Sequence, residues 1–103
     1  MVIPIFTAQL EKAREATDAA NIRAAYSEVV ADALNASTKD STAITKEVEL
    51  KQQKDDWQNE PDFTGELKTA IEAGGSTNKP TKNGKCTITY TPNTQVWTVT
   101  YSN

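Results

Sequence analysis

The sequence predicts an α+β domain: a long N-terminal helix packed on an antiparallel sheet of three or four strands that ends in a β-hairpin. Three observations carry this expectation. Between Ala8 and Leu34 there is no Gly or Pro, and nine positions are Ala, the strongest helix former. The final stretch KCTITYTPNTQVWTVTY sets Cys86, Ile88 and Tyr90, then Trp97, Val99 and Tyr101, in alternation with polar residues, mostly threonines, around a short Pro-Asn-Thr turn. That is the pattern of a hairpin with one apolar and one polar face. Between these two signals, AITKEVELKQQKDDW alternates at Val48 and Leu50, as a half-buried strand does.

Taken in order, the first helix spans about 4–34. Pro4 suits a first turn because its fixed φ and missing N–H cost nothing there. The polar run Asn35 to Thr38 ends it. At 1.5 Å per residue such a helix is a rod of roughly 45 Å, longer than a domain of this size is wide. The strand is expected over about 43–54, followed by a turn at NEPDF. A short helix follows at about 65–73, with Thr64 as N-cap, Glu66 in the first turn, Leu67, Ala70 and Ile71 at helical spacing, and Gly74-Gly75 as the stop. The loop STNKPTKNG contains an Asn83-Gly84 pair suited to a tight turn, and the hairpin occupies about 85–101. The whole chain, 1–103, reads as a single domain.

The helix has two unlike faces. At 100° per residue, Ala19, Ile22, Tyr26, Val29, Val30 and Ala33 share one face, a large-residue stripe confined to the C-terminal half. With Ile88, Tyr90, Trp97 and Val99 from the hairpin, Ile22, Tyr26, Val29 and Val30 are the expected core. Roughly opposite, Leu10, Ala13, Thr17, Ala20, Ala24 and Ala31 form a stripe of mostly small residues. Alanine here can serve helix propensity alone; it can also permit close approach of another helix. The expectation is a packed half and a projecting half, the latter from Pro4 to about Ala20.

Composition narrows the function. The chain of 103 residues is 37% hydrophobic and carries a net charge of −3, with mean hydropathy −0.61 and a pI near 4.9. The core is expected to be thin, and an acidic balance argues against a surface that neutralises phosphates. There is no histidine, so the commonest general base and metal ligand is absent. Cys86 is the lone cysteine, with no partner for a disulfide, redox pair or zinc site; it reads as a small buried apolar residue. No run of about 18 apolar residues is present for a membrane span, and no signal peptide is visible. Asp55, Asp56, Glu60 and Asp62, with Asn59, lack the spacing of a calcium loop and read as a solvated acidic turn. The triplet Asn35-Ala36-Ser37 matches a glycosylation acceptor, a short pattern that arises by chance. The residues thus point to no enzyme chemistry, no cofactor and no metal.

The segment VIPIFTAQLEKAREATDAANIRAAYSEVV resembles the region of type IV pilins, particularly pilin-like proteins of Gram-positive anaerobes, just after their membrane-spanning half-helix. Ile3-Pro4-Ile5-Phe6 and Gln9-Leu10-Glu11-Lys12-Ala13-Arg14-Glu15-Ala16 carry the resemblance, which covers roughly the first 30 residues; the remainder matches only in general plan. The family's leader, processing Gly and apolar half-helix are missing from this sequence, as is the C-terminal disulfide loop of many Gram-negative pilins. The chain is therefore expected to be a soluble part of a longer precursor, with Met1 an introduced start.

The resemblance implies a structural pilin, major or minor, whose partners are other pilin subunits in a helical homopolymer. It places the protein extracellularly in a cell-surface pilus or fimbria, and in the cytoplasmic or inner membrane before assembly. It touches membrane only through the missing segment. Leu10, Ala13, Thr17, Ala20 and Ala24 are the subunit-contact candidates, and the loops 35–42 and 74–85 would decorate the fibre. Two other readings stand beside it. One is a pseudopilin of a type II secretion or competence system, where Lys79, Lys82 and Lys85 are the basic residues available for DNA; no nucleic acid is otherwise expected. The other is an unrelated small secreted binding module, which requires residues 1 to 20 to pack onto the domain.

Overall fold

A computed structural model describes residues 3–103, with side chains from Ala8 onward; Met1 and Val2 of the opening apolar stretch lie outside the described residues. Five elements follow in order: α1 (Ile3–Leu34), β1 (Ile44–Glu49), α2 (Gly65–Ala73), β2 (Lys85–Thr91) and β3 (Val96–Ser102). The strands form one antiparallel sheet in the order β1-β2-β3. This is an α+β fold with a long N-terminal helix over a three-stranded sheet.

The described chain measures 60 × 24 × 22 Å. A helix of 32 residues is about 48 Å long, so α1 can only lie along the long axis. It packs on β1 and β2, while α2 packs on β3. Between the layers Ile22, Val29, Ile88, Val99 and Cys86 are fully or almost fully buried, with Ala19, Ala25, Val48, Leu50, Phe63, Leu67 and Ala70 around them. Tyr26, Val30, Tyr90 and Trp97 are half-buried. Three of these cluster at one end of the sheet with tilted rings, Trp97 lying 4.6 Å from Tyr90 and 4.9 Å from Tyr26 between ring centroids. The register explains the first pair, since Tyr90 stands opposite Trp97 and Ile88 opposite Val99; facing pairs on one sheet face are the unit of sheet packing.

β1 is shorter than the alternation 43–54 suggests, and the reason lies in its hydrogen bonds. Beyond Glu49, the Leu50 N–H bonds to the Gly84 carbonyl at 2.8 Å, and the next two amides turn to a side chain of α1. Residues 50–54 therefore leave the ladder, although Leu50 still reaches the core. Two local expectations also meet a different chemistry. Thr64 occupies the N-cap of α2 in extended conformation, but its side chain makes no capping hydrogen bond. In the Asn83-Gly84 turn the residue with positive φ is Asn83, at 53°, not the glycine.

The outer edge of β3 is occupied by a side chain. Asn78 donates from Nδ2 to the Val99 carbonyl at 2.8 Å and to the Ile71 carbonyl at 3.0 Å, and accepts from the Tyr101 N–H at 3.1 Å. One carboxamide thus stands in for a neighbouring strand, blunting the edge and tying the end of α2 to the sheet.

Candidate functional site

The buried seam of α1 extends further toward the N-terminus than its apolar residues do. Glu11, Glu15, Asp18, Ile22, Ala25 and Val29 follow one another at alternating spacings of four and three, and all six are buried. That spacing keeps side chains on one helix face. The lower half of the seam is apolar and meets the sheet; the upper half consists of carboxylates. Glu11, Glu15 and Asp18 are exposed by only 3%, 1% and 0%.

What buries them is a strap, residues 50–61, laid along α1. The Asp18 carboxylate accepts the Lys51 N–H at 2.7 Å and the Gln52 N–H at 2.8 Å. Glu11 Oε1 accepts the Gln53 N–H at 3.0 Å. Glu15 accepts the Gln58 N–H on both oxygens, at 3.0 and 2.9 Å, and the Asn59 N–H at 2.7 Å. A buried carboxylate is tolerated when N–H groups replace its lost water. Satisfaction is not complete, because Glu11 Oε2 is buried without a hydrogen-bond partner. The Arg14 guanidinium lies 3.7 Å from Glu11 Oε1. Burial raises the Asp18 carboxyl above its ordinary value; the two amides pull it down, and the neighbouring Glu11 adds to the rise.

This arrangement corrects the expected division of the helix. Among the described side chains, packing begins at Glu11, so residues 11–20 do not project as a free half. The sequence did carry a signal for it: the carboxylates continue the spacing of Ile22, Ala25 and Val29 without a break. A search for apolar periodicity passes over them because it scores acids as solvent-facing.

On the opposite arc Leu10, Ala13, Thr17, Ala20 and Ala24 are all exposed, Leu10 by 40%. The strap and the sheet leave this arc open. Thr17 donates its hydroxyl back to the Ala13 carbonyl at 3.0 Å, which takes its polar atom out of the outer surface and leaves a methyl there.

The remaining chemistry-bearing residues are spent on structure or lie apart. Asp55 accepts the Lys82 N–H at 2.8 Å, and Asp56 accepts the Trp57 N–H at 2.7 Å. Among the described residues no three acidic or Cys side chains gather as metal ligands. An open cleft of about 330 Å³ lies between residues 60–63 and α2, lined by Pro61, Phe63 and Ile71 with Glu60, Asp62, Lys68 and Glu72. Arg23 closes the other side of this ridge, its guanidinium 5.0 Å from the Phe63 ring centre and 3.3 Å from the Asp62 carbonyl. Lys79, Lys82 and Lys85 are exposed, and Lys85 lies 3.5 Å from Glu47. Asn35 is exposed and donates to the Ala31 carbonyl at 3.3 Å.

Cys86 faces the core with no exposure, and burial pushes its thiol up to about 12. Since the thiolate is the nucleophile, a disulfide reagent at pH 8 should label less than a few per cent of the folded chain in the time that labels the urea-unfolded chain fully. Equal rates in the two states would contradict the burial.

Among the described residues no helix is long and apolar enough to cross a membrane. No family model, no curated protein and no solved structure matches this chain.

Proposed function

We propose that this chain is the globular part of a structural type IV pilin, major or minor, with a pilin-like fold, assembling into a filament through α1. The reading starts from the likeness of residues 2–30 to pilin sequences. The observation that supports it best is the open arc of α1, where Leu10, Ala13, Thr17, Ala20 and Ala24 leave the helix accessible along its length. Small side chains allow another helix to approach closely. A contact between unlike surfaces of identical subunits propagates as an open helix when it does not close. The partners are other copies of the chain, the location is a pilus at the cell surface, and neither cofactor nor nucleic acid enters. Such a subunit works as a structural protein and needs no active site.

The test joins the chain to an upstream apolar helix of about 25 residues in a host that assembles pili, and looks for filaments. Leu10→Asp or Ala13→Asp should abolish them while the isolated domain keeps its melting temperature within about 2 °C, since both positions are exposed. Unchanged assembly in these variants would remove the role assigned to this arc. A short fibre retained within the envelope would move the assignment to a pseudopilin.

A further inference from the structure

We infer that α1 up to Asp18 is a releasable lever, held on a strap that itself stays fixed to the body. The inference begins with what holds each piece. Among the described side chains of α1, from Ala8 onward, apolar burial starts at Ala19; above it the buried side chains are Glu11, Glu15 and Asp18. These three meet the strap through five main-chain amides, those of Lys51, Gln52, Gln53, Gln58 and Asn59. The strap's own side chains bond elsewhere: Gln52 to the carbonyls of Lys54 and Asp56, Gln58 to that of Asp55, and Gln53 to the Lys51 carbonyl and Asn83.

The strap has a separate set of ties to the body. The Asp56 N–H bonds to the Pro80 carbonyl at 2.7 Å, the Asn83 N–H to the Gln52 carbonyl at 3.0 Å, and the Lys82 N–H to Asp55 at 2.8 Å. Trp57 adds edge contacts to Phe63 and Tyr101, with centroids 6.1 and 6.4 Å away. Release of the helix leaves all of these in place.

Electrostatics makes the helix side the weaker joint. Three carboxylates share one seam, and among the described residues the single cation within 4 Å of any of them is Arg14, at 3.7 Å from Glu11. Each has lost most of its water, and Glu11 acts on Asp18 as a like charge; opening returns the water and weakens that repulsion. Once free, residues 3–18 are an isolated helix of about 16 residues, marginal in water. The lever should therefore open as one unit, with fraying, while the sheet stays folded. In a filament, a use that rests on the pilin reading, the joint would let the body pivot on its stem.

Native-state hydrogen exchange by NMR on the monomeric chain, with low urea, tests the joint whether or not filaments form. The five strap amides and the α1 amides of Arg14–Asp18 should share one opening constant, at least tenfold larger than that of Cys86–Thr91 and only weakly dependent on urea. The Asp56 and Asn83 amides should stay with the slow set. Glu15→Gln should speed the five strap amides together. Ile88→Val should speed the sheet amides severalfold and leave the lever's opening unchanged. Unrelated rates among the five amides, Asp56 opening with them, or the five following the sheet in Ile88→Val would each overturn the inference.

Discussion

Replacing Asp18 with Ala should lower the unfolding free energy by roughly 2–4 kcal/mol, a large share of what a domain of this size possesses. The change strips the acceptor from the Lys51 and Gln52 amides, bonded at 2.7 and 2.8 Å. Gln52 is itself fully buried, so its N–H cannot turn to water unless α1 and the strap separate. At about 4–8 °C per kcal/mol for a chain near 100 residues, the melting temperature should fall by roughly 8–30 °C. Asp18→Asn preserves the volume but supplies one acceptor where two are used, and it points an NH₂ group at the other amide. It should recover no more than half of the loss. Full rescue by Asn would show that one of the two bonds carries nothing.

The same residue gives a pH dependence whose sign follows from its burial. The folded value of the Asp18 carboxyl is raised, because desolvation outweighs the two N–H bonds. At pH values between the ordinary and the raised folded value, the folded state therefore binds more proton than the unfolded state. Asp18's contribution from this source is fully present below the ordinary aspartate value of 3.8 and is lost as pH rises through the folded value. The stability difference between the unaltered chain and Asp18→Ala should therefore be larger at pH 4 than at pH 7. Urea unfolding of both proteins at the two pH values measures it, and a difference that grows toward neutral pH would mean that the amides win.

The second large effect is expected at Gly84, where alanine should destabilise by roughly 3 kcal/mol, the upper end of overpacking in a filled interior. A Cβ added there would stand 2.5 Å from the Ser102 carbonyl oxygen, 3.2 Å from that of Thr81, and against the Thr81 hydroxyl. A main-chain oxygen cannot swing aside as a side chain does. Meanwhile the Gly84 carbonyl receives the Leu50 N–H, so retreat of the glycine breaks the bond that ends β1. Asn83→Gly is the control. It relieves a positive φ of 53° and gives up only an exposed bond from Gln53, so it should change stability by less than about 1 kcal/mol. Urea midpoints of the two variants decide the matter. A mild Gly84→Ala would mean that the β3 terminus near Ser102 yields.

These two sites show where the sequence was readable. The Asn83-Gly84 pair announces a turn, and a turn is there. The glycine's reason is different from the one its neighbour suggests: it is the lack of room beside β3, which depends on where residue 102 arrives. The hairpin was legible in full because its signals are local. Alternation sets the face, and the register Tyr90–Trp97 and Ile88–Val99 follows from a short turn. The length of α1 was legible for the same reason, since alanine content and the absence of Gly or Pro act within a few turns.

The strap was not legible as a strap. VELKQQKDDW keeps alternating past Glu49, and nothing local says that the amides of residues 51–53 will bond to a helix 33 to 42 residues earlier. Nor does composition mark Glu11, Glu15 and Asp18 as interior, because acids are almost never fully buried unless something pairs with them. Here the partner is backbone, which every sequence has and no sequence advertises. The open arc at Leu10 and Ala13 lies between these cases. The sequence supplied its small residues; only the folded chain decided that the strap covers the other arc and leaves this one free. By itself, then, the sequence determined the two helices and the hairpin with its faces, all of which rest on contacts a few residues apart. The tertiary structure decided that the upper half of the α1 seam would be charged and buried, because main-chain amides from a distant loop are placed to replace its water.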